Sequence, residues 1–182
     1  MSWLTITWSM GAAACLTLAL MYLAIWFQQP RQRAYLLFSL TALGAAGNAV
    51  LELLVMHAQT VANYATALRW SHLPIFVLVV SMTWFVRAYF GTGRRWLAFT
   101  VTSLWTLTLL LNFRSPHSTV YTEITGLITE QTSWGEVFSV ARGVYSPWNL
   151  IANLGIVFLV AFVVDASLAL WRQGGRRRAA AR

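Results

Sequence analysis

Five long apolar segments determine what this chain can fold into. They cover approximately Trp3–Phe27, Ala34–His57, Trp70–Phe90, Trp96–Phe113 and Trp148–Trp171. A helix needs about 20 mostly apolar residues to cross a bilayer, whose hydrocarbon core is about 30 Å thick. Only 10% of the residues are charged, too few to cover a water-facing surface. The sequence therefore predicts a single domain over residues 1–182, an all-α integral membrane bundle of about five transmembrane helices in contact with the lipid bilayer.

The arginines predict the orientation of this bundle. They concentrate in the connections that would share one membrane face, namely Arg31 and Arg33, Arg94 and Arg95, and Arg172 with Arg176–Arg178. The connections on the opposite face carry isolated arginines together with Glu123, Glu130 and Glu136. Because basic residues favour the cytoplasmic side, we expect an external N-terminus and a basic cytoplasmic tail over residues 172–182.

The one long connection, residues 114–147, predicts a small extracytoplasmic β-hairpin between the fourth and fifth helices. Its β-branched and aromatic runs flank the segment Ser133–Glu136, which contains a glycine suited to a turn. A two-stranded hairpin is marginally stable alone. We therefore expect it to pack on the outer end of the helix bundle.

The sequence carries none of the motifs that identify common soluble enzymes. It has no His-Glu-x-x-His, Cys-x-x-Cys or Gly-x-Ser-x-Gly motif, and no lysine for a phosphate-binding P-loop. Its three histidines fall on separate segments without metal-ligand spacing. The net charge of +8 lies in short clusters between apolar runs rather than along a basic face. We therefore expect no catalytic residue, no metal, no cofactor and no nucleic-acid partner.

Polar residues inside or beside the apolar segments mark the candidate functional region. A charge within the hydrocarbon costs at least about 2.5 kcal/mol, so it usually has a partner or a function. Glu52, His57, Arg69 and His72 all fall towards the predicted outer face. One hypothesis is an outward-facing site for a ligand, a proton or, as the least favoured occupant, a metal. The alternative is structural, with Glu52 paired to Arg69 or His72 so that helices two and three are tied together.

Arg87 and Asp165 form a second candidate pair. Each lies seventeen residues beyond a tryptophan, Trp70 or Trp148, that marks the predicted outer end of its helix. Equal spacing predicts equal depth, and hence an ion pair between helices three and five near the inner face. In the alternative interpretation, Arg87 extends to the headgroups and Asp165 bonds to a hydroxyl group.

Two further features concern helix packing. The segment Gly44–Gly47 gives helix two a face of small residues, which allows close contact between helices in lipid. The sequence does not decide whether that contact lies within one chain or in a homodimer. Pro74 is expected near the start of helix three, where its missing N–H would be unpaired in any case.

Several stretches carry a resemblance to a known family. They are Leu68–Pro74, Trp84–Gly91, Leu111–Phe113, Tyr121–Thr125, Ser146–Leu150, Phe162–Ser167 and Leu170–Arg178. The chain resembles the N-terminal seven-helix membrane region of bacterial sensor histidine kinases and related PAS-containing regulators. That resemblance implies a location in the inner membrane of a bacterium. It also implies a sensory input that passes a signal to a cytoplasmic or fused kinase or PAS output module. The chain differs from the family pattern by stopping after the fifth helix and by lacking kinase domains, so we expect no enzyme activity.

The leading hypothesis is therefore a membrane-embedded sensory module of a bacterial signal-transduction protein, without its own output domain. A small transporter or channel subunit is the main alternative, and a structural assembly partner is the other. A transporter needs a continuous polar path, and the candidates are sparse: Asn48, Glu52, Asn112, Asn153 and Asp165.

Overall fold

The structure is a computed structural model that describes residues 3–115, 118–132, 135 and 137–180, with side chains to Gln173. Over these residues the chain forms five helices and one antiparallel hairpin. They are α1 (Trp3–Gln28), α2 (Arg33–Met56), α3 (Val61–Phe90), α4 (Arg95–Arg114), β1 (Tyr121–Gln131), β2 (Val137–Tyr145) and α5 (Asn149–Ala180). All five helices are long and apolar enough to cross a membrane. The predicted number of helices and the hairpin are confirmed, and the helices indicate a multi-pass membrane protein.

Helix α3 begins at Val61, well before the predicted Trp70. Thr60 starts it from an extended backbone conformation, and its side chain accepts a hydrogen bond of 3.2 Å from the N–H of Asn63. A threonine N-cap of this kind satisfies one of the unpaired donors in the first turn. The additional turns place Arg69 and His72 inside the helix rather than at its start.

The position expected for Pro74 is consequently wrong, because this residue lies in the interior of α3. Its carbonyl and the backbone of Leu78 face α2 at a close crossing. A Cβ added to Gly44 would lie 2.8 Å from the Pro74 oxygen and 2.7 Å from the Leu78 nitrogen. Only glycine permits this approach, so the small-residue face of α2 packs against α3 of the same chain.

The helices define two ends of the bundle. At the hairpin end, the C-terminus of α2 meets the N-terminus of α1, where Thr5 Oγ1 lies 3.4 Å from His57 Nε2. The hairpin packs at this end, and the Ser139 hydroxyl donates a 2.7 Å hydrogen bond to the Ala58 carbonyl. The basic end is opposite and contains the α1–α2 connection, the α3–α4 turn and the last turns of α5. Helix α5 extends beyond the predicted Trp171, so much of the predicted tail is helical.

The hairpin is held by an apolar cluster that it shares with α2 and α3. Tyr121, Ile124 and Ala141 from the strands pack with Val55, Ala58, Tyr64 and Ala67. The strands pair with two register shifts, between Tyr121 and Glu123 and between Ile124 and Gly126. In the predicted turn, Gly135 adopts a φ of 87°, and Ser133, Trp134 and Glu136 lie outside the described residues.

A second apolar cluster joins α3 and α4 to α5. Its buried members are Val79, Leu97, Ala98, Val101, Trp105 and Phe162. The Phe162 ring covers Gly93, where an added Cβ would come within 2.6 Å of a ring carbon. Helix α5 therefore packs over the turn between α3 and α4 as well as along α4.

Candidate functional site at the hairpin end

A fully buried asparagine joins three segments at the hairpin end. Asn112, in the last turns of α4, has no exposed surface. Its Nδ2 donates a 2.8 Å hydrogen bond to the carbonyl of Arg69 in α3. Its Oδ1 accepts a 3.3 Å hydrogen bond from the backbone N–H of Thr119, just before the hairpin. One side chain thus connects α3, α4 and the segment that leads into β1.

His72 completes this connection from α3. Its Nδ1 lies 2.9 Å from the Leu68 carbonyl, and its Nε2 lies 3.1 Å from the Thr119 hydroxyl. A carbonyl can only accept, so Nδ1 must carry the proton. In the neutral ring, Nε2 then accepts a hydrogen bond from the Thr119 hydroxyl. We call Asn112, Thr119, His72 and Arg69 the buried polar network.

The Arg69 side chain points to α4 rather than to α2. Its guanidinium donates to the carbonyl of Phe113 and lies over the Phe113 ring, 5.7 Å from the ring centroid. A cation at this position complements the unpaired carbonyls at the end of α4. Among the described residues, Arg69 Nε is buried without a hydrogen-bond partner.

These contacts contradict the structural alternative for Glu52, in which it pairs with Arg69 or His72. Arg69 is bound to Phe113 and His72 to Thr119, and no ion pair of Glu52 occurs among the described residues. The carboxylate interacts electrostatically with Tyr64 in the first turn of α3. Within the part of the chain that the structure describes, Glu52 of α2 therefore has no ion-pair partner.

His57 lies at the C-cap of α2, where Nδ1 approaches the Leu53 carbonyl at 2.8 Å. It lines a cleft of about 410 Å³ that also includes Asn63, Thr66 and Trp70. Arg69 lines a separate cleft of about 360 Å³, to which Thr66 and Trp70 also contribute. The four predicted residues thus share one end of the bundle but do not converge on one pocket.

A stacked pair of tyrosines at this end was not predicted from the sequence. The rings of Tyr121 and Tyr145 stack with a centroid separation of 5.1 Å and an interplanar angle of 22°. Burial and the hydrogen bond with Tyr145 raise the pKa of Tyr121 to about 12. The two residues are register partners at the base of the hairpin. Only the strand register could have revealed their proximity.

The predicted ion pair between Arg87 and Asp165 is replaced by a different contact. Asp165 Oδ1 lies 3.3 Å from Arg94 Nε, and Asp165 Oδ2 accepts a 2.9 Å hydrogen bond from the Arg94 backbone N–H. The Arg87 guanidinium instead donates to the Gly93 carbonyl. Gly91, with a φ of 65°, ends α3 and reverses the chain. This reversal brings Arg94 against α5, where Asp165 caps the N-terminus of α4.

Comparisons of this chain with protein-family models, curated proteins and solved structures found no match. Over the described residues, no group of three or more histidine, cysteine, aspartate or glutamate side chains could hold a metal ion. Most of the polar groups described above are engaged in hydrogen bonds between different segments. Such an arrangement can transmit a displacement from one segment to another.

Proposed function

We propose that this chain is the sensory or signal-input module of a bacterial signal-transduction protein in the inner membrane. The hairpin end would face the outside and the basic end the cytoplasm. The observation that carries the proposal is the buried polar network. It attaches the segment leading into the hairpin to α3 and α4 through Thr119, which has no exposed surface.

Charge distribution supports the proposed orientation. The described part of the basic end carries Arg31, Arg33, Arg87, Arg94, Arg95 and Arg172. Asp165 is the acidic residue at that end, and the other four acidic residues of the sequence lie in α2 or between Tyr121 and Val137. An excess of arginine is typical of the cytoplasmic side.

The contacts support one route for the proposed signal. A stimulus that displaces the hairpin would move Thr119, and with it Asn112 and the end of α4. Helix α4 contacts α5 through Trp105, whose indole packs against Gly155, and through the Arg94–Asp165 contact at the basic end. Helix α5 continues to Ala180, where a cytoplasmic output module would be attached. A stimulus shifts such an equilibrium only if it binds two states differently.

A reporter fusion tests this proposal. The full chain is joined through Arg182 to a kinase transmitter with a transcriptional reporter, and Asn112→Ala and Thr119→Val are each compared with wild type. Loss of network contacts is expected to change reporter output by about fivefold or more, the lower end of measured coupling. The matched control is Thr108→Val. Thr108 is also buried in α4, but its hydroxyl bonds only to Leu104 of the same helix.

All variants are first compared for their amount in the membrane fraction, so that output is expressed per inserted chain. Equal output from wild type, both network variants and the control would contradict the sensory proposal and favour an assembly partner. Inserting one to four residues after Ala180 gives a second test. If α5 carries the signal, output should vary with the helical register of the insertion.

A further inference from the structure

A cleft of about 570 Å³ opens at the basic end, between α1, α2 and α3. Its lining combines two arginines, two tryptophans and two leucines, namely Arg33, Arg87, Trp26, Trp84, Leu36 and Leu37. The indole N–H of Trp84 donates a 3.1 Å hydrogen bond to the Thr102 hydroxyl, which fixes this wall to α4. The cleft lies at the opposite end of the bundle from the buried polar network.

The two arginines that line this cleft have no carboxylate partner among the described residues. Arg87 donates to the Gly93 carbonyl, but a guanidinium has five N–H donors, so others remain available. Asp165, the acidic residue at this end, is paired with Arg94. Arg33 is exposed at the mouth of the cleft. Within the described part of the chain, two guanidinium groups beside an apolar wall thus lack a negative countercharge.

The start of α2 adds to the positive potential at this cleft. Its N-cap residue, Gln32, makes no side-chain capping bond, and the first turn contains no acidic residue. The N-terminus of a helix carries a partial positive charge that favours phosphate groups. Trp26 and Trp84 are suited to the membrane interface, where an apolar ring and a polar N–H are both accommodated.

We propose that this cleft binds the headgroup of an anionic phospholipid. Arg33 and Arg87 hold the phosphate, while Leu36, Leu37 and the tryptophan rings contact the glycerol and the first acyl carbons. A free phosphate ion would leave the apolar wall uncovered, whereas a lipid satisfies both parts of the cleft. Basic pockets between transmembrane helices commonly bind anionic headgroups. The site does not depend on the proposed sensory function.

Native mass spectrometry of the purified chain in detergent tests this site, with phosphatidylglycerol as the probe. Arg33→Gln is expected to weaken binding of the first lipid about fivefold, the effect of one arginine near an anionic lipid. Arg31→Gln is the matched control, since it removes the same charge from an exposed residue two positions away that does not line the cleft. It should leave the affinity of the first lipid nearly unchanged.

Two further measurements complete the test. Arg87→Gln should weaken lipid binding to a similar degree. This variant also loses the contact with the Gly93 carbonyl and could fail to fold for that reason. In that case Arg33→Gln alone decides the test. Equal losses for Arg31→Gln and Arg33→Gln would overturn the proposal, because they would indicate diffuse surface charge. Displacement of the lipid by millimolar inorganic phosphate, or equal binding of phosphatidylcholine, would also overturn it.

Discussion

Replacing Asn112 with alanine should destabilise the protein strongly, because this side chain is fully buried and serves two partners. The Thr119 N–H, also buried, would lose its partner, which costs about 1–3 kcal/mol. The lost bond to the Arg69 carbonyl adds about 0.6 kcal/mol, the average for interhelical side-chain bonds within a membrane. With the cavity left by truncation, the free energy of unfolding should fall by about 2–4 kcal/mol.

Reversible unfolding in mixed detergent–SDS micelles, followed by circular dichroism, measures this loss. Thr108→Val is the control on the same helix, one turn away. Its hydroxyl is buried and donates a 2.9 Å hydrogen bond to the Leu104 carbonyl within α4. Bonds of this kind add little to helix stability, so the control should lose less than about 1 kcal/mol.

Similar losses for Asn112→Ala and Thr108→Val would refute this reasoning. They would mean that the bonds from Asn112 to α3 and to Thr119 contribute nothing beyond an ordinary buried polar group. The proposed route from the hairpin to α4 would then lack its central contact.

Three further predictions concern other parts of the fold. Gly44→Ala should lower the free energy of unfolding by about 1–3 kcal/mol through overpacking against the α3 backbone. The control Gly11→Ala should be neutral or stabilising in the same SDS assay, because no atom lies within 4 Å of the added Cβ. Asp165→Leu should lower the free energy of unfolding by about 1 kcal/mol through loss of the cap on α4. Arg94→Gln should lower it by less, because this arginine side chain is 68% exposed and solvent screens the ion pair. Equal losses for the two variants would contradict the capping role of Asp165. Because the pKa of Tyr121 is raised from 10.0 to about 12, the folded hairpin favours the neutral phenol, so its contribution to stability is complete below pH 10 and is lost between pH 10 and about 12. Tyr121→Phe should abolish that loss when unfolding is measured across this pH range, and an unchanged profile would refute it.

The apolar segments predicted the helices because length and hydropathy alone determine whether a helix can cross a bilayer. Helix ends depend on local contacts that hydropathy does not register. The residues after Thr60 are only moderately apolar, and the start of α3 there depends on the hydrogen bond from the Asn63 N–H to the Thr60 hydroxyl. The predicted start at Trp70 was therefore nine residues late, and Pro74 was misplaced with it.

Partners within the bundle were harder to predict than the helices. Equal spacing from Trp70 and Trp148 predicts that Arg87 and Asp165 lie at the same depth. It does not predict the direction in which each side chain points. The turn after Gly91 decides that direction, and it presents Arg94 to α5. The same reasoning from depth placed Glu52 and Arg69 at one end of the bundle. In the structure, however, Arg69 donates to the Phe113 carbonyl at the end of α4, an acceptor whose position the sequence does not reveal.

The role of Asn112 illustrates how a polar residue in an apolar helix should be interpreted. In the sequence it counted only as one of a few polar groups that were too sparse for a transport path. In the structure it satisfies a backbone carbonyl of α3 and a backbone N–H beside the hairpin. Neither partner is visible as a side-chain motif, because any residue type could supply these backbone groups. In this chain, the buried polar side chain in the last turn of α4 therefore marks the point where three segments meet.

The hairpin has attachments to both halves of the bundle, and this arrangement defines what could move. On one side it packs on α2 and α3, with Ser139 bonded to the Ala58 carbonyl. On the other side its base leads directly into α5, and the N–H of Ser146 donates a 2.9 Å bond to the Val120 carbonyl. Thr119, one residue earlier, is bound to α4. A displacement of the hairpin relative to α2 and α3 must therefore strain its connections to α4 and α5, unless the hydrogen bonds of Asn112 break first.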